Sequence, residues 1–79
     1  MKYNTLQRIL PNHEIHYIDD CEVFFNQNPN LYDSYLEDYK FILFEYTIEC
    51  FPETIKLLKS NNIKYLIKTD ELGLDIILI

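Results

Sequence analysis

The segment from Leu74 to Ile79 most constrains the fold, because its last four residues, Ile76 to Ile79, are all apolar. The preceding stretch, Ile63 to Thr69, alternates between apolar and polar side chains, and the turn signal Asp70 to Gly73 separates the two. This arrangement predicts a β-hairpin. Because the last strand is apolar on both faces, it must be central in a sheet, covered, or paired with another chain. We therefore expect a homodimer through the C-terminal strand, or burial of this strand in a partner.

Three segments have the spacing of helices, with apolar residues three and four positions apart. The first is a short helix that stops at Pro11. The second covers 31–39, with Asn30 as its N-cap. The third covers 52–61, and Pro52 opens it at the first helical position.

Other segments read as strands or turns. Residues 14–18 alternate and predict a short strand, while Cys21 to Phe25 could extend that strand or form a helical turn. The stretch Asn26 to Asn30 has the composition of a loop. Residues 40–50 favour a strand on their β-branched and aromatic content, with a continuation of the preceding helix as the alternative.

The chain of 79 residues and 9.6 kDa is predicted to be a single domain spanning 1–79. Hydrophobic residues make up 48 % of it, which is enough for a core. The predicted fold class is α+β: a small, mainly antiparallel sheet with two or three short helices packed on one face, ending in the C-terminal hairpin.

Composition excludes several classes of function. Gly73 is the single glycine, whereas loops that cradle phosphates or dinucleotides need several. The net charge of −6 and the single arginine argue against direct nucleic-acid binding. No apolar run is long enough to cross a membrane. We expect no cofactor and a cytoplasmic location.

The absence of Ala beside abundant Ile, Tyr, Asn and Lys is typical of AT-rich coding sequences, as in low-GC bacteria and their phages.

The negative charge is concentrated in the middle of the chain. Residues 19–53 carry nine acids against Lys40 alone, whereas each flanking segment has a net charge of +1. The candidate partner-binding residues are eight of these acids and one nearby tyrosine: Asp19, Asp20, Glu22, Asp33, Tyr35, Glu37, Asp38, Glu45 and Glu49. A solvated charged face that keeps a small protein soluble is the alternative interpretation.

Evidence for catalysis or a metal site is weak. His13 and His16 lie close to several acids and Cys21, but on a strand their side chains would point to opposite faces. Cys21 and Cys50 are expected to be reduced thiols rather than a disulfide. A chain this small has little room for a catalytic pocket. We expect neither a metal nor enzymatic activity.

The clustered acids and seven tyrosines instead favour a protein-binding surface. The leading hypothesis is a non-enzymatic inhibitor, encoded by a phage or mobile element, that blocks a bacterial nucleic-acid-handling defence enzyme. It would resemble anti-CRISPR proteins in style and would present carboxylates where the target, a basic enzyme or effector complex, expects phosphates. The alternatives are an antitoxin or immunity protein against a basic toxin, and a homo-oligomeric structural or regulatory subunit.

Overall fold

The computed structural model describes residues 1–44 and 51–79, with the backbone alone at Ser34 and Tyr35. Within these residues there are three α-helices: Tyr3–Ile9 (α1), Glu22–Gln27 (α2) and Phe51–Ser60 (α3). Four strands form one sheet: His16–Tyr17 (β1), Phe41–Phe44 (β2), Leu66–Thr69 (β3) and Asp75–Leu78 (β4). Short 3-10 helices cover Ile18–Asp20, Pro29–Leu31 and Ser34–Asp38. The α+β class and the C-terminal hairpin are confirmed.

The strand closest to the C-terminus lies inside the sheet. The strand order is β1-β2-β4-β3, and every neighbouring pair is antiparallel. Ile77 therefore lies between Leu43 on β2 and Ile67 on β3. Both edges of β4 are paired within the chain, which explains why it is apolar on both faces. The C-terminal strand therefore has no edge left to pair with a second copy, and the oligomeric state stays a prediction.

The helices cover both faces of the sheet, not one face as predicted. Phe41 and Leu43 of β2 point into one core cluster, which α1 and α3 cover through Leu6 and Leu58. A second cluster of core side chains lies on the opposite face, with α2 and the 3-10 helices: Phe25, Leu31, Leu36, Ile42, Phe44, Ile76 and Leu78. The single-face prediction fails because β2 and β4 are apolar on both sides, so each side needs a cover.

The helix predicted over 31–39 is wrong. The chain instead forms the 3-10 helices Pro29–Leu31 and Ser34–Asp38, separated by Tyr32 and Asp33. On an α-helix, Asp33 and Glu37 would lie four positions apart and repel each other, which destabilises the predicted helix. Asn30 lies inside the first 3-10 helix rather than at an N-cap.

Several local predictions hold. The short helix before Pro11 is α1, and the helix predicted over 52–61 is α3. The open choice at Cys21 to Phe25 resolves as helix, since α2 covers most of it and continues into the predicted loop. The strand predicted over 40–50 is confirmed at β2, and residues 45–50 lie outside the described part of the chain.

The turn between β3 and β4 is fixed by its own side chains. Asp70 Oδ1 accepts hydrogen bonds from the backbone N–H groups of Leu72 and Leu74 at 2.9 and 2.8 Å. Gly73 has φ of +83°, a left-handed conformation that glycine adopts without strain. Thr69 donates a hydrogen bond to Asp75 at 2.9 Å across the base of the hairpin. The conformation of the turn is therefore fixed by hydrogen bonds within the hairpin.

Candidate protein-binding surface

Acidic and basic helices lie on opposite faces of the sheet. On the face that contains Phe25 and Ile42, the 3-10 helix Ile18–Asp20, α2 and the 3-10 helix Ser34–Asp38 carry five acids and no Lys or Arg. On the other face, α1 and α3 together carry Arg8, Lys56 and Lys59 against one acid, Glu53. The sheet thus separates an acidic layer from a basic one, a property that the charge pattern alone left undetermined.

Three of the candidate acids converge on one depression of about 400 Å³, which we call the acidic groove. Asp19 belongs to the 3-10 helix Ile18–Asp20, Glu22 to α2, and Glu37 to the 3-10 helix Ser34–Asp38. The whole lining is Ile18, Asp19, Glu22, Phe25, Asn26, Tyr32, Leu36 and Glu37. No Lys or Arg of the described residues is part of it, so its carboxylates present uncompensated negative charge.

An exposed tyrosine lies in the acidic groove and was not among the predicted site residues. Tyr32 leaves 73 % of its surface in solvent while its ring contacts Phe25 edge-on, with centroids 6.1 Å apart. Tyr32 lies in the segment 31–39, for which we predicted an α-helix that does not form. A large aromatic held against a buried ring, with its hydroxyl free to reach a partner, is typical of interface hot spots.

The other candidate residues do not join the acidic groove. Asp20 lies on the opposite side of α2, and Asp38 lies beside Tyr39 and Lys40 in a separate depression. Asp33 is exposed next to Tyr32. The remaining three fall where the structure gives no side chain: Tyr35, Glu45 and Glu49.

A second depression, of about 420 Å³, lies on the far side of α2 and is called the Phe24 cleft. Val23 and Phe24 form its helix wall, and Leu72 and Leu74 of the β3–β4 turn form the opposite wall. Phe24 packs edge-on against Phe44 of β2, with ring centroids 4.9 Å apart, so the aromatic wall is supported by the sheet. The charged residues in the lining are Asp20, Asp70 and Asp75.

The thiol of Cys21 is also part of the Phe24 cleft. Burial raises its pKa, and the negative charge of Asp20 raises it further, so the group stays protonated near neutral pH. Its Sγ lies 3.4 Å from the carbonyl oxygen of Tyr17. Cys21 is a free thiol. Cys50 lies outside the described residues, so the expectation that it is also a reduced thiol stays a prediction.

The two histidines lie on different sides of the sheet. His13 Nε2 is 2.9 Å from Thr54 Oγ1 on α3, whereas the His16 ring packs edge-on against Phe44 at 5.5 Å. In the described residues, no group of three or more His, Cys, Asp or Glu side chains is arranged to hold a metal ion. Nor is any described helix long and apolar enough to cross a membrane.

Comparison with protein-family models, with curated proteins and with solved structures finds no match for this chain. The features of the described residues that bear on function are the geometry and charge of the acidic groove and the Phe24 cleft.

Proposed function

We propose that the protein is a small, acidic, non-enzymatic inhibitor that binds a basic partner protein through the acidic groove. The observation that carries the proposal is the convergence of Asp19, Glu22 and Glu37 around the exposed ring of Tyr32. Clustered carboxylates steer a positively charged surface towards the groove, and the tyrosine supplies apolar contact once the partner has docked.

The partner class we favour is a bacterial nucleic-acid-handling defence enzyme, inhibited in the style of anti-CRISPR proteins. Such enzymes bind phosphates with Lys and Arg, and a carboxylate surface competes for the same side chains. The inhibitor would be encoded by a phage or mobile element and act in the cytoplasm with its target. A basic toxin would suit the same surface, so the identity of the bound partner distinguishes an inhibitor from an antitoxin.

The size of the surface is compatible with a stable complex. The protein exposes 5384 Å², so a footprint of about 800 Å² would occupy roughly one-seventh of it. The acidic groove with its rim is one part of such a footprint. Contacts on more than one side of α2 are needed to complete it.

The test compares two triple variants that change the net charge equally. In the first, Asp19→Asn, Glu22→Gln and Glu37→Gln neutralise the acidic groove. The matched control neutralises three exposed acids that line neither depression, with Glu14→Gln, Glu53→Gln and Glu71→Gln. Each protein is immobilised and exposed to lysate of a low-GC bacterium, and captured nucleic-acid-handling enzymes are then assayed for inhibition.

We expect wild type and the control to capture and inhibit the same enzyme, and the groove variant to bind it about tenfold more weakly. Binding by wild type should also weaken as salt rises from about 0.05 to about 0.5 M. If both triple variants bound the enzyme equally weakly, binding would depend on the net charge of the protein and not on the position of the acids. Capture without inhibition, or a salt-independent complex, would contradict the proposed function.

A further inference from the structure

The Phe24 cleft has the properties of a preformed site for an apolar side chain. Val23 is 70 % exposed and Leu72 is 85 % exposed, and both belong to its lining. Leu74, at 40 % exposed, lies beside them. These three exposed apolar side chains therefore share one depression. Covering such a patch is favourable in proportion to the apolar area removed from water.

One buried side chain links the two walls of the Phe24 cleft. Asn28 is 7 % exposed, and its Oδ1 accepts a hydrogen bond of 3.0 Å from the backbone N–H of Glu71 in the β3–β4 turn. Its Nδ2 donates to the carbonyl oxygen of Phe24 at 2.9 Å. The same side chain therefore fixes α2 to the turn across the cleft. A cleft that is already open costs a ligand little reorganisation.

The charge around the cleft selects the chemistry of the occupant. Asp20, Asp70 and Asp75 belong to its lining, and no Lys or Arg of the described residues does. Asp70 accepts two hydrogen bonds from backbone N–H groups of the turn, which fix the position of its carboxylate beside the cleft. Lys68 projects from the same face of β3 as Leu66, but it is not part of the lining. An apolar group carried between positive charges complements this arrangement.

We propose that the Phe24 cleft binds an apolar side chain of the partner protein that is flanked in its own chain by Lys or Arg. This inference rests on the proposed function for the identity of the ligand as a protein, and it adds the part of the partner that is recognised. The apolar side chain lies between Val23 and Leu72, and the flanking cations face Asp20 and Asp70.

The two depressions on either side of α2 then act on one partner surface. An α-helix with its side chains is about 10 Å wide, so a basic segment that crosses α2 can reach both depressions within roughly three extended residues or two helical turns. Apolar anchoring in the Phe24 cleft would supply salt-resistant affinity, while the acidic groove would supply steering.

The cleft can be tested without knowing the partner. The probe is a short synthetic peptide with one leucine between two arginines, titrated into isotopically labelled protein while backbone and methyl resonances are recorded. Two control peptides replace the leucine with asparagine or both arginines with glutamates. The protein variants are Leu72→Ser and Val23→Asn, which alter exposed side chains and leave the core intact. The matched control is Leu57→Ser, at a side chain 41 % exposed on α3.

We expect the leucine–arginine peptide to shift resonances of Val23, Leu72 and Leu74, with at least about fivefold weaker binding by either cleft variant and unchanged binding by Leu57→Ser. Both control peptides should bind at least about fivefold more weakly. Equal binding of the glutamate peptide would overturn the charge argument. Shifts centred on α3, concentration-dependent broadening that shows a second copy as the occupant, or no shifts at all would overturn the proposal.

Failure of this inference is distinguishable from failure of the proposed function. The Asp19, Glu22 and Glu37 neutralisation should leave binding of the peptide to the cleft within about twofold, because those residues lie across α2 from it. Capture of the intact partner should respond to that triple variant even if the Phe24 cleft proves to bind nothing.

Discussion

The side chain of Asn28 accepts a hydrogen bond from the backbone N–H of Glu71 at 3.0 Å, joining α2 to a turn more than 40 positions later in the chain. The Asn28 side chain also donates to the carbonyl oxygen of Phe24, and it is almost fully buried. Replacement with Ala would leave the Glu71 N–H without its partner in a place that water reaches poorly.

We expect Asn28→Ala to lower the free energy of unfolding by about 1–3 kcal/mol, measured by urea denaturation. The control is Asn30→Ala, because Asn30 is exposed and contacts the Glu71 carboxylate at 3.5 Å. That change should cost less than about 0.5 kcal/mol. Equal losses in the two variants would mean that Asn28 does not fix the turn.

The central position of β4 predicts a large difference between two cross-strand neighbours. Ile77 is fully buried, whereas its partner Ile67 on β3 is 38 % exposed. Ile77→Ala should lower the free energy of unfolding by about 2–5 kcal/mol, since it leaves a cavity in the core cluster that α1 and α3 cover. The same substitution at Ile67 should cost about 1 kcal/mol or less. Similar costs at both positions would place β4 at an edge of the sheet.

Tyr32 is expected to matter for binding and little for folding. Tyr32→Ala should weaken the complex with the partner by at least about 1 kcal/mol, because a solvent-exposed ring in the lining of the acidic groove loses its contact area. Its effect on thermal unfolding should be small, since most of the ring is already in water. Tyr17→Ala is the comparison, at an exposed ring that stacks on Tyr3 over the opposite face. Unchanged affinity after Tyr32→Ala would remove Tyr32 from the interface.

The pKa of the Cys21 thiol predicts a pH dependence. Burial, with Asp20 second, raises this pKa above its ordinary value of 9.0. Between the ordinary and the raised value the unfolded chain has lost the thiol proton while the folded chain keeps it. The free energy of unfolding should therefore fall as pH rises above about 9.

That fall is measured in a Cys50→Ser background as the difference from the same protein with Cys21→Ala, which cancels other groups that titrate at high pH. Alkylation of Cys21 at pH 8 should also be slower in the folded protein than in urea, because less thiolate is present. A thiol that reacts as fast folded as unfolded would contradict the raised pKa.

The parts of the fold that sequence predicts are those set by neighbouring residues. The hairpin was predictable because Asp70 and Gly73 supply the hydrogen bonds and the positive φ of the turn by themselves. The strand at β2 was predictable from its β-branched and aromatic residues. The pairing of Ile42 with Leu78 was not, because nothing local specifies which distant strand an apolar strand will join.

The candidate site was only partly predictable for the same reason. Asp19, Glu22 and Glu37 were selected from the charge pattern, but their meeting depends on how α2 and the 3-10 helix Ser34–Asp38 pack over the sheet. Tyr32 was missed as a site residue because the apolar residues of 31–39 have helical spacing, which led us to predict an α-helix where two 3-10 helices form. The acids Asp33 and Glu37, four positions apart, were the available signal against an α-helix over this segment.

The strand order has a consequence for how the chain folds. Until the β3–β4 hairpin has formed and docked, β2 has one edge unpaired and two apolar faces, Phe41–Phe44, incompletely covered. An unpaired apolar strand edge is a template for pairing with another nascent chain. The sheet closes only when the β3–β4 hairpin docks its β4 edge on β2, so the free edge of β2 stays open to pairing with another copy until that hairpin is in place.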